Sequence, residues 1–286
     1  MLTILEVVQK STEYLNKAGV PNARLDAEWI ISHSLDLGRM DLYLQFERPL
    51  EEAQLNEMRE MVKRRGTREP LQHILGQVTF ADVRLTCDNR ALIPRPETEE
   101  LVEIIFSIYK EDPPEKILDL GTGTGALALA LASTFPSAEI IATDISDKAL
   151  ELAGQNARAN KLAGRINFLC CDWLEGLEEE PESFDLIVSN PPYLSEEEWE
   201  STEPEVKQHD PRQALVSKED GSADLQKILK DSHEYLHPQG WLAMETGEGH
   251  HEQLAKTAKA VGYEKILQKK DFAGRPRFFF AKRAKQ

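Results

Sequence analysis

The chain has 286 residues and a formal net charge of −16, with 34 Lys and Arg against 50 Asp and Glu. That length fits one large or two modest domains, and the acidic balance argues against free nucleic acid as the main partner, because phosphate binding needs a basic surface. Three cysteines (Cys87, Cys170 and Cys171), an acidic residue in the first ten positions and no long apolar run point to a reducing, cytoplasmic setting. They give no sign of a disulfide framework, signal peptide or membrane span.

In chain order, residues 2–69 read as helical. Leu5, Val8, Thr12 and Leu15 fall at helical spacing, and Gly19-Val20-Pro21 stops that helix. Asn22 is placed to cap a second helix that buries Leu25, Trp29 and Ile30. Glu51 to Arg68 makes a third, with Leu55, Met58 and Val62 as its stripe and Lys63-Arg64-Arg65 with Arg68 as a locally basic patch. From Gln72 to Ile93 the pattern becomes that of a β-hairpin, expected as a linker. Pro94-Arg95-Pro96 is then a rigid turn before an acidic helix start. Arg95, fixed between prolines, either reaches a ligand or pairs with a carboxylate.

From Lys116 strands and helices alternate. The expected strands are 117–120, 139–143, 166–171, 184–189 and 241–245, and helices lie between them. The last two strands, 266–269 and 277–281, are joined only by a short turn through Ala273-Gly274-Arg275-Pro276. With no room for a crossover they must be antiparallel. The predicted fold class is α/β: a doubly wound sheet with an antiparallel last strand, preceded by a helical bundle. The predicted domains are 1–70, helical; 71–93, a hairpin linker; and 94–286, a ligand-binding α/β domain.

Two strand ends carry chemistry. Asp119-x-Gly121-x-Gly123-x-Gly125 sits where a strand turns into a helix. Glycines there let the backbone approach a ligand, and a helix N-terminus favours negative charge. Asp144, 21 positions after Gly123 at the next strand end, is placed to accept from both hydroxyls of a ribose. Asp172 and Trp173 end the third strand and can meet an adenine. Gly121-x-Gly123-x-x-Ala126 also satisfies the dinucleotide fingerprint, so a nicotinamide cofactor is the rival. S-adenosylmethionine is favoured by the reversed last strand and by the second strand end, Ser189-Asn190-Pro191-Pro192-Tyr193. Two prolines stop strand pairing and stiffen this exit. The Asn190 side-chain oxygen and the Pro191 carbonyl are two acceptors suited to one planar NH2 group, and Tyr193 offers a ring against its face. His233-Glu-x-x-His237 matches a zinc-protease pattern, but Pro238 and Gly240 end the helix at once and no third ligand follows. No metal site is predicted.

Assembled, these residues resemble the release-factor glutamine methyltransferases, the HemK/PrmC family, over nearly the whole chain. The resemblance rests on the helical first domain, Ile93 to Glu99, Asp119 to Gly125, Asp172-Trp173 and Asn190 to Tyr193. It continues in Asp210-Pro211-Arg212-Gln213-Ala214-Leu215 and Gly274-Arg275-Pro276-Arg277. It implies a class I methyltransferase (Rossmann-like) domain over 94–286 that moves a methyl group from S-adenosylmethionine to a glutamine side-chain nitrogen. The implied target is the Gly-Gly-Gln loop of class I peptide chain release factors, with no direct DNA or membrane partner. The candidate catalytic residues are Asn190, Pro191 and Tyr193, joined by Pro192 in holding substrate. The candidate cofactor residues are Gly121, Thr122, Gly123, Thr124, Gly125, Asp144, Asp172, Trp173 and Asn190. Alternatives are a glutamine methyltransferase of a ribosomal protein, an adenine-N6 nucleic-acid methyltransferase, and a cofactor-binding protein without activity.

Overall fold

The computed structural model describes residues 1–285. The chain divides into two compact units, Met1–Gln77 with Glu203–His209, and Val78–Thr202 with Asp210–Gln286.

The first unit holds α1 (Ile4–Lys17), α2 (Ala23–Ser34), α3 (Arg39–Leu44), α4 (Glu52–Gly66) and α5 (Leu71–Leu75), with the short helix Pro204–His209. Helix α1 opens on a capping box: Thr3 Oγ1 accepts from Glu6 N, and the Glu6 carboxylate accepts from Thr3 N at 2.8 Å. It buries Ile4, Val7, Val8 and Leu15 at helical spacing. Helix α2 departs from expectation. Asn22 makes no side-chain cap, and Leu25 and Trp29 are 40% and 42% exposed, while Ala23, Ala27, Ile30 and Ile31 face inward. The apolar pattern misleads because two carboxylates take buried places. Asp26 pairs with Arg65 at 2.7 Å, and Glu28 is held by Arg24, Arg39 and Tyr43. Arg65 is itself buried and also donates to Glu205 Oε1 at 2.8 Å and to the Glu69 carbonyl. Arg65→Ala would leave buried Asp26 without its cationic partner, while Glu205 keeps Arg68, an effect of about 3 kcal/mol. The expected result is a lowered melting midpoint of the first unit, read by its helical circular dichroism.

The second unit begins one residue into a two-stranded hairpin, β1 (Gln77–Phe80) and β2 (Val83–Thr86). The stretch expected as one linker is therefore divided. Residues 71–75 form α5, and the hairpin sinks Phe80, Val83 and Leu85 into the core of the second unit. The Arg84 and Thr86 backbones, which have no further strand beside them, are met instead by the side-chain amides of Asn160 and Asn156.

After α6 (Pro96–Ile108) come β3 (Lys116–Leu120), α7 (Ala126–Thr134), β4 (Glu139–Asp144), α8 (Asp147–Ala159), β5 (Ile166–Cys170) and β6 (Phe184–Ser189). The chain closes with α9 (Ala223–Tyr235), β7 (Leu236–Glu245), α10 (His251–Val261), β8 (Tyr263–Lys270) and β9 (Pro276–Arg283). The sheet order is β5-β4-β3-β6-β7-β9-β8; β9 runs antiparallel to both neighbours and the other pairs are parallel. The reversal predicted for the last strand is present. Strands β3, β4, β6 and β7 are buried on both faces and accordingly carry near-continuous apolar runs. Helix α7 is buried all round, from Ala126 to Ala132.

The chain crosses from β3 to β4 on one side and returns to β6 on the other, so the order reverses between β3 and β6. In such sheets ligands bind outside the carboxyl ends at that reversal, where Gly121, Asp144 and Asn190 emerge. His233 ends α9, with its ring edge-on to Tyr263 at 4.9 Å, and His237 lies in β7. The two do not share a helix face.

Candidate active site

The glycine loop is held open by its ends. The Gly121 and Thr122 N–H groups both donate to the Thr143 carbonyl, at 2.9 and 2.8 Å, which ties the loop to the end of β4. Asp119 lies beneath it, fully buried. Its Oδ2 accepts from Thr122 Oγ1 at 2.6 Å and from Ala128 N at 3.2 Å, and burial pushes its carboxyl up to about 7. Asn156 donates to the Thr124 carbonyl at 2.9 Å. Gly121 must be glycine on two counts: its φ is +72°, and a Cβ there would come within 3.1 Å of the Trp173 ring. At Gly125, φ +83°, a Cβ would meet Leu129 at 2.7 Å and Ala153 at 3.2 Å, so glycine lets α7 and α8 approach.

Asp144 stands opposite the loop. Gly123 N donates to its Oδ2 and Ser146 N to its Oδ1, each at 2.9 Å. Ser146 also caps α8 through Ala149 N, as its position suggests. A carboxylate offers about four lone-pair sites, so two are spent on fixing its direction and the remainder are available to a ligand. Burial raises its pKa, against the pull of these backbone donors. Trp173 has φ +54°, a conformation costly for a bulky residue. Its indole N–H donates to Asp224 Oδ1 at 3.1 Å, so the ring is locked in place and only its surface is offered. Asp172 is exposed at the rim.

Asn190 leaves the end of β6, where Ser189 Oγ donates to the Leu120 carbonyl and joins β6 to β3. Asn190 Nδ2 donates to Thr98 Oγ1 at 3.2 Å, and Thr98 Oγ1 donates to Glu245 Oε2 at 2.7 Å. Tyr193 donates its phenol proton to Glu245 Oε1 at 2.9 Å and accepts from Arg277 at 3.2 Å. The Arg277 guanidinium also lies 5.6 Å from the centre of the Tyr193 ring. Glu245 is fully enclosed. Burial raises its pKa, opposed by the hydrogen bonds from Thr98 and Tyr193 and by the Arg277 charge. Arg95 pairs with buried Asp210 at 2.6 Å, the carboxylate alternative for this residue.

These groups line one cavity of about 380 Å³, within the ~300–1,000 Å³ range of small-molecule sites. Gly121 to Thr124, Asp144, Asp172, Trp173, Asn190 and Pro192 all face it, with Arg95 and Thr98. Gly125, Pro191 and Tyr193 stand outside the lining: Gly125 starts α7, Pro191 is buried behind, and Tyr193 is tied to Glu245.

Residues 6–76 match the family described as the PrmC N-terminal domain, and residues 111–273 match a methyltransferase domain family. A release factor glutamine methyltransferase of Fusobacterium nucleatum is 38% identical, over 98% of this chain and 79% of that protein. One of Rhodopirellula baltica is 35% identical, over 99% and 97%. The chain belongs to the release factor glutamine methyltransferases. Among solved structures, the hMettl16 catalytic domain superposes with a TM-score of 0.58 at 17% identity, covering 71% of this chain and 76% of that one. A methyltransferase from Pyrococcus furiosus gives 0.52 at 18%, covering 71% and 89%. These establish the class I methyltransferase fold of the second unit.

Membership of a methyltransferase family displaces the dinucleotide alternative for the glycine loop. Among the described residues, no helix of this methyltransferase is long and apolar enough to cross a membrane. Nothing in the sequence pattern assigns a role to Glu245, Arg277 or Thr98. The available signals were slight: a carboxylate ending an otherwise apolar strand, 241–245, and a threonine inside the Pro-Arg-Pro-Glu-Thr-Glu turn.

Proposed function

We propose that this methyltransferase moves a methyl group from S-adenosylmethionine to the side-chain amide nitrogen (N5) of the glutamine in the Gly-Gly-Gln motif of class I peptide chain release factors. The observation that carries this is the Asn190 amide. It lies on the cavity shared with the glycine loop, with Nδ2 committed to Thr98 and Oδ1 left to accept.

The cavity suits the donor. The positive-φ backbone at Gly121 and Gly123 gives a loop without side chains toward the ligand. Gly121 to Thr124 would hold the methionine end, with Gly125 shaping the turn behind them, Asp144 the ribose hydroxyls, and Trp173 with Asp172 the adenine. When bound, the cofactor supplies an electrophilic methyl group on a sulfonium.

A glutamine amide nitrogen is a weak nucleophile because its lone pair is delocalised into the carbonyl. Asn190, which lines the cavity, can take one N–H on Oδ1. The Pro191 carbonyl, at the strand exit just behind the lining, is the candidate acceptor for the other. Together they would hold both hydrogens out of the amide plane and return lone-pair character to nitrogen. Alignment of that lone pair supplies most of the rate. The two carbonyl dipoles stabilise positive charge as it grows on nitrogen. The proton leaves to water after transfer, so no strong base is required. The net charge of −16 favours a protein substrate over DNA, and action on translation factors implies a cytoplasmic enzyme.

The test incubates the full chain with methyl-labelled S-adenosylmethionine and a class I release factor, beside the same factor with its Gly-Gly-Gln glutamine changed to alanine. Label on the intact factor alone is expected. Equal label on both would move the target to another residue. No label on either, with cofactor binding verified, would redirect the search to ribosomal proteins and then to nucleic acid.

A further inference from the structure

An asparagine side chain has two arms of nearly equal size, one an acceptor and one a double donor. Its shape does not decide which arm faces a ligand; its partners do. For Asn190 the difference is decisive. An outward oxygen accepts from a substrate NH2, whereas an outward NH2 sets donor against donor.

The structure supplies a chain of partners with one direction. It starts at Arg277, which can only donate and gives a hydrogen bond to the Tyr193 oxygen at 3.2 Å. Tyr193 then spends its single proton on Glu245 Oε1 at 2.9 Å. The other carboxylate oxygen, Oε2, accepts the single proton of Thr98 Oγ1 at 2.7 Å. With its proton spent, Thr98 Oγ1 can only accept, and what it accepts is Asn190 Nδ2 at 3.2 Å. Glu245 is 1% and Thr98 3% exposed, so water is not available to substitute for either partner. The members come from separate elements: Thr98 from the first turn of α6, Asn190 and Tyr193 from the exit of β6, Glu245 from the end of β7, and Arg277 from β9. Buried chains of this kind polarise one another and set a unique arrangement when every member is satisfied.

We propose that Thr98 and Glu245 are positioning residues that fix the polarity of the Asn190 amide, so that its oxygen faces the substrate nitrogen. This rests on the assignment of Asn190 as the acceptor for the substrate amide. Neither residue need touch the reacting atoms. Their effect is to remove the flipped state of Asn190 before substrate arrives.

Three variants separate this from a merely structural role. Thr98→Val keeps the shape and removes the hydroxyl. Thr98→Ser keeps the hydroxyl. Glu245→Gln keeps the size, but its oxygen is drawn to Tyr193, so its NH2 faces Thr98. The Thr98 proton is then turned toward Asn190, which reverses the chain. The readouts are kcat and KM for a class I release factor, Kd for S-adenosylmethionine, and the thermal midpoint. Expected are kcat values about ten- to a hundredfold lower for Thr98→Val and Glu245→Gln, the usual cost of losing a group that orients a functional side chain. KM and cofactor Kd should stay near wild type, and Thr98→Ser should restore kcat. The double variant should be no worse than the poorer single one, because both act through one amide.

If Asn190→Ala is inactive but Thr98→Val and Glu245→Gln keep wild-type kcat, Asn190 is the acceptor and the proposed relay is wrong. If Asn190→Ala itself is active, the acceptor assignment fails and the relay with it. Loss of cofactor affinity in step with kcat, without rescue by serine, would make the pair structural and also overturn the proposal.

Discussion

Asn190→Ala is expected to lower kcat by about a hundred- to a thousandfold, the cost of removing one preorganised hydrogen-bonding group aimed at charge that develops during reaction. The dissociation constant for S-adenosylmethionine, measured by calorimetry, should change little. Loss in kcat without loss in cofactor affinity marks an interaction made mainly in the transition state. The physical reason is the commitment of the amide: Nδ2 is held on Thr98 and Asn190 lines the cavity, so on the proposed reading Oδ1 is the arm that accepts from substrate. Truncation removes the acceptor that pulls a substrate hydrogen out of plane and leaves Thr98 Oγ1 without its donor. Asn190→Asp separates two roles. It restores an acceptor but sets a second oxygen against Thr98 Oγ1, whose proton is already given to Glu245. Its activity should fall between alanine and wild type. Because Asn190 is also a candidate cofactor contact, a parallel fall in cofactor affinity would reassign it to donor binding. Near-full activity with alanine would remove Asn190 from catalysis altogether.

What was legible in the sequence was whatever local chemistry dictates. Strand and helix alternation after Lys116 follows from apolar runs punctuated by Gly, Pro and Asp. The reversal of β9 follows from a connection too short for a crossover. Gly121 to Gly125, Asp144 and Asn190 could be placed because each sits at a strand end, and strand ends in this architecture converge. Two kinds of feature were not legible. One is a helix face set by charge: α2 hides Asp26 and Glu28 because arginines from α4 and α3 reach them, so Leu25 and Trp29 are turned out. The other is contact between distant residues. Thr98 and Glu245 are 147 positions apart, and Tyr193 and Arg277 are 84 apart. No spacing rule joins them; only the folded sheet does. The same holds for Glu203–His209, which joins the first unit although the chain around it belongs to the second.

Asp144→Ala is expected to weaken S-adenosylmethionine binding by about a hundredfold. Two hydrogen bonds from ribose hydroxyls to a carboxylate contribute about 1.5–3 kcal/mol each at most. A net loss near 3 kcal/mol allows for water entering the space. The carboxylate is also a structural acceptor, since Gly123 N and Ser146 N each spend their hydrogen on it. Alanine therefore loosens the glycine loop as well. Asn at this position is no conservative exchange: its NH2 arm must face one of those two backbone donors, so Asp144→Asn should also bind the cofactor more weakly than wild type. The kinetic signature should oppose that of Asn190→Ala. At saturating cofactor, Asp144→Ala should recover most of its kcat, because on the proposed assignment the ribose would lie away from the reacting nitrogen and its contacts would be equal in ground and transition states. Calorimetric Kd and kcat at saturation decide the matter together. A variant that binds the cofactor as wild type does would take Asp144 out of the cofactor site and leave it as a brace between the Gly123 turn and the start of α8. A variant whose kcat stays a hundredfold down at saturation would mean that the loop, once loosened, no longer presents the methyl group in line with the amide nitrogen. The chemistry would then depend on Asp144 through alignment as well as affinity.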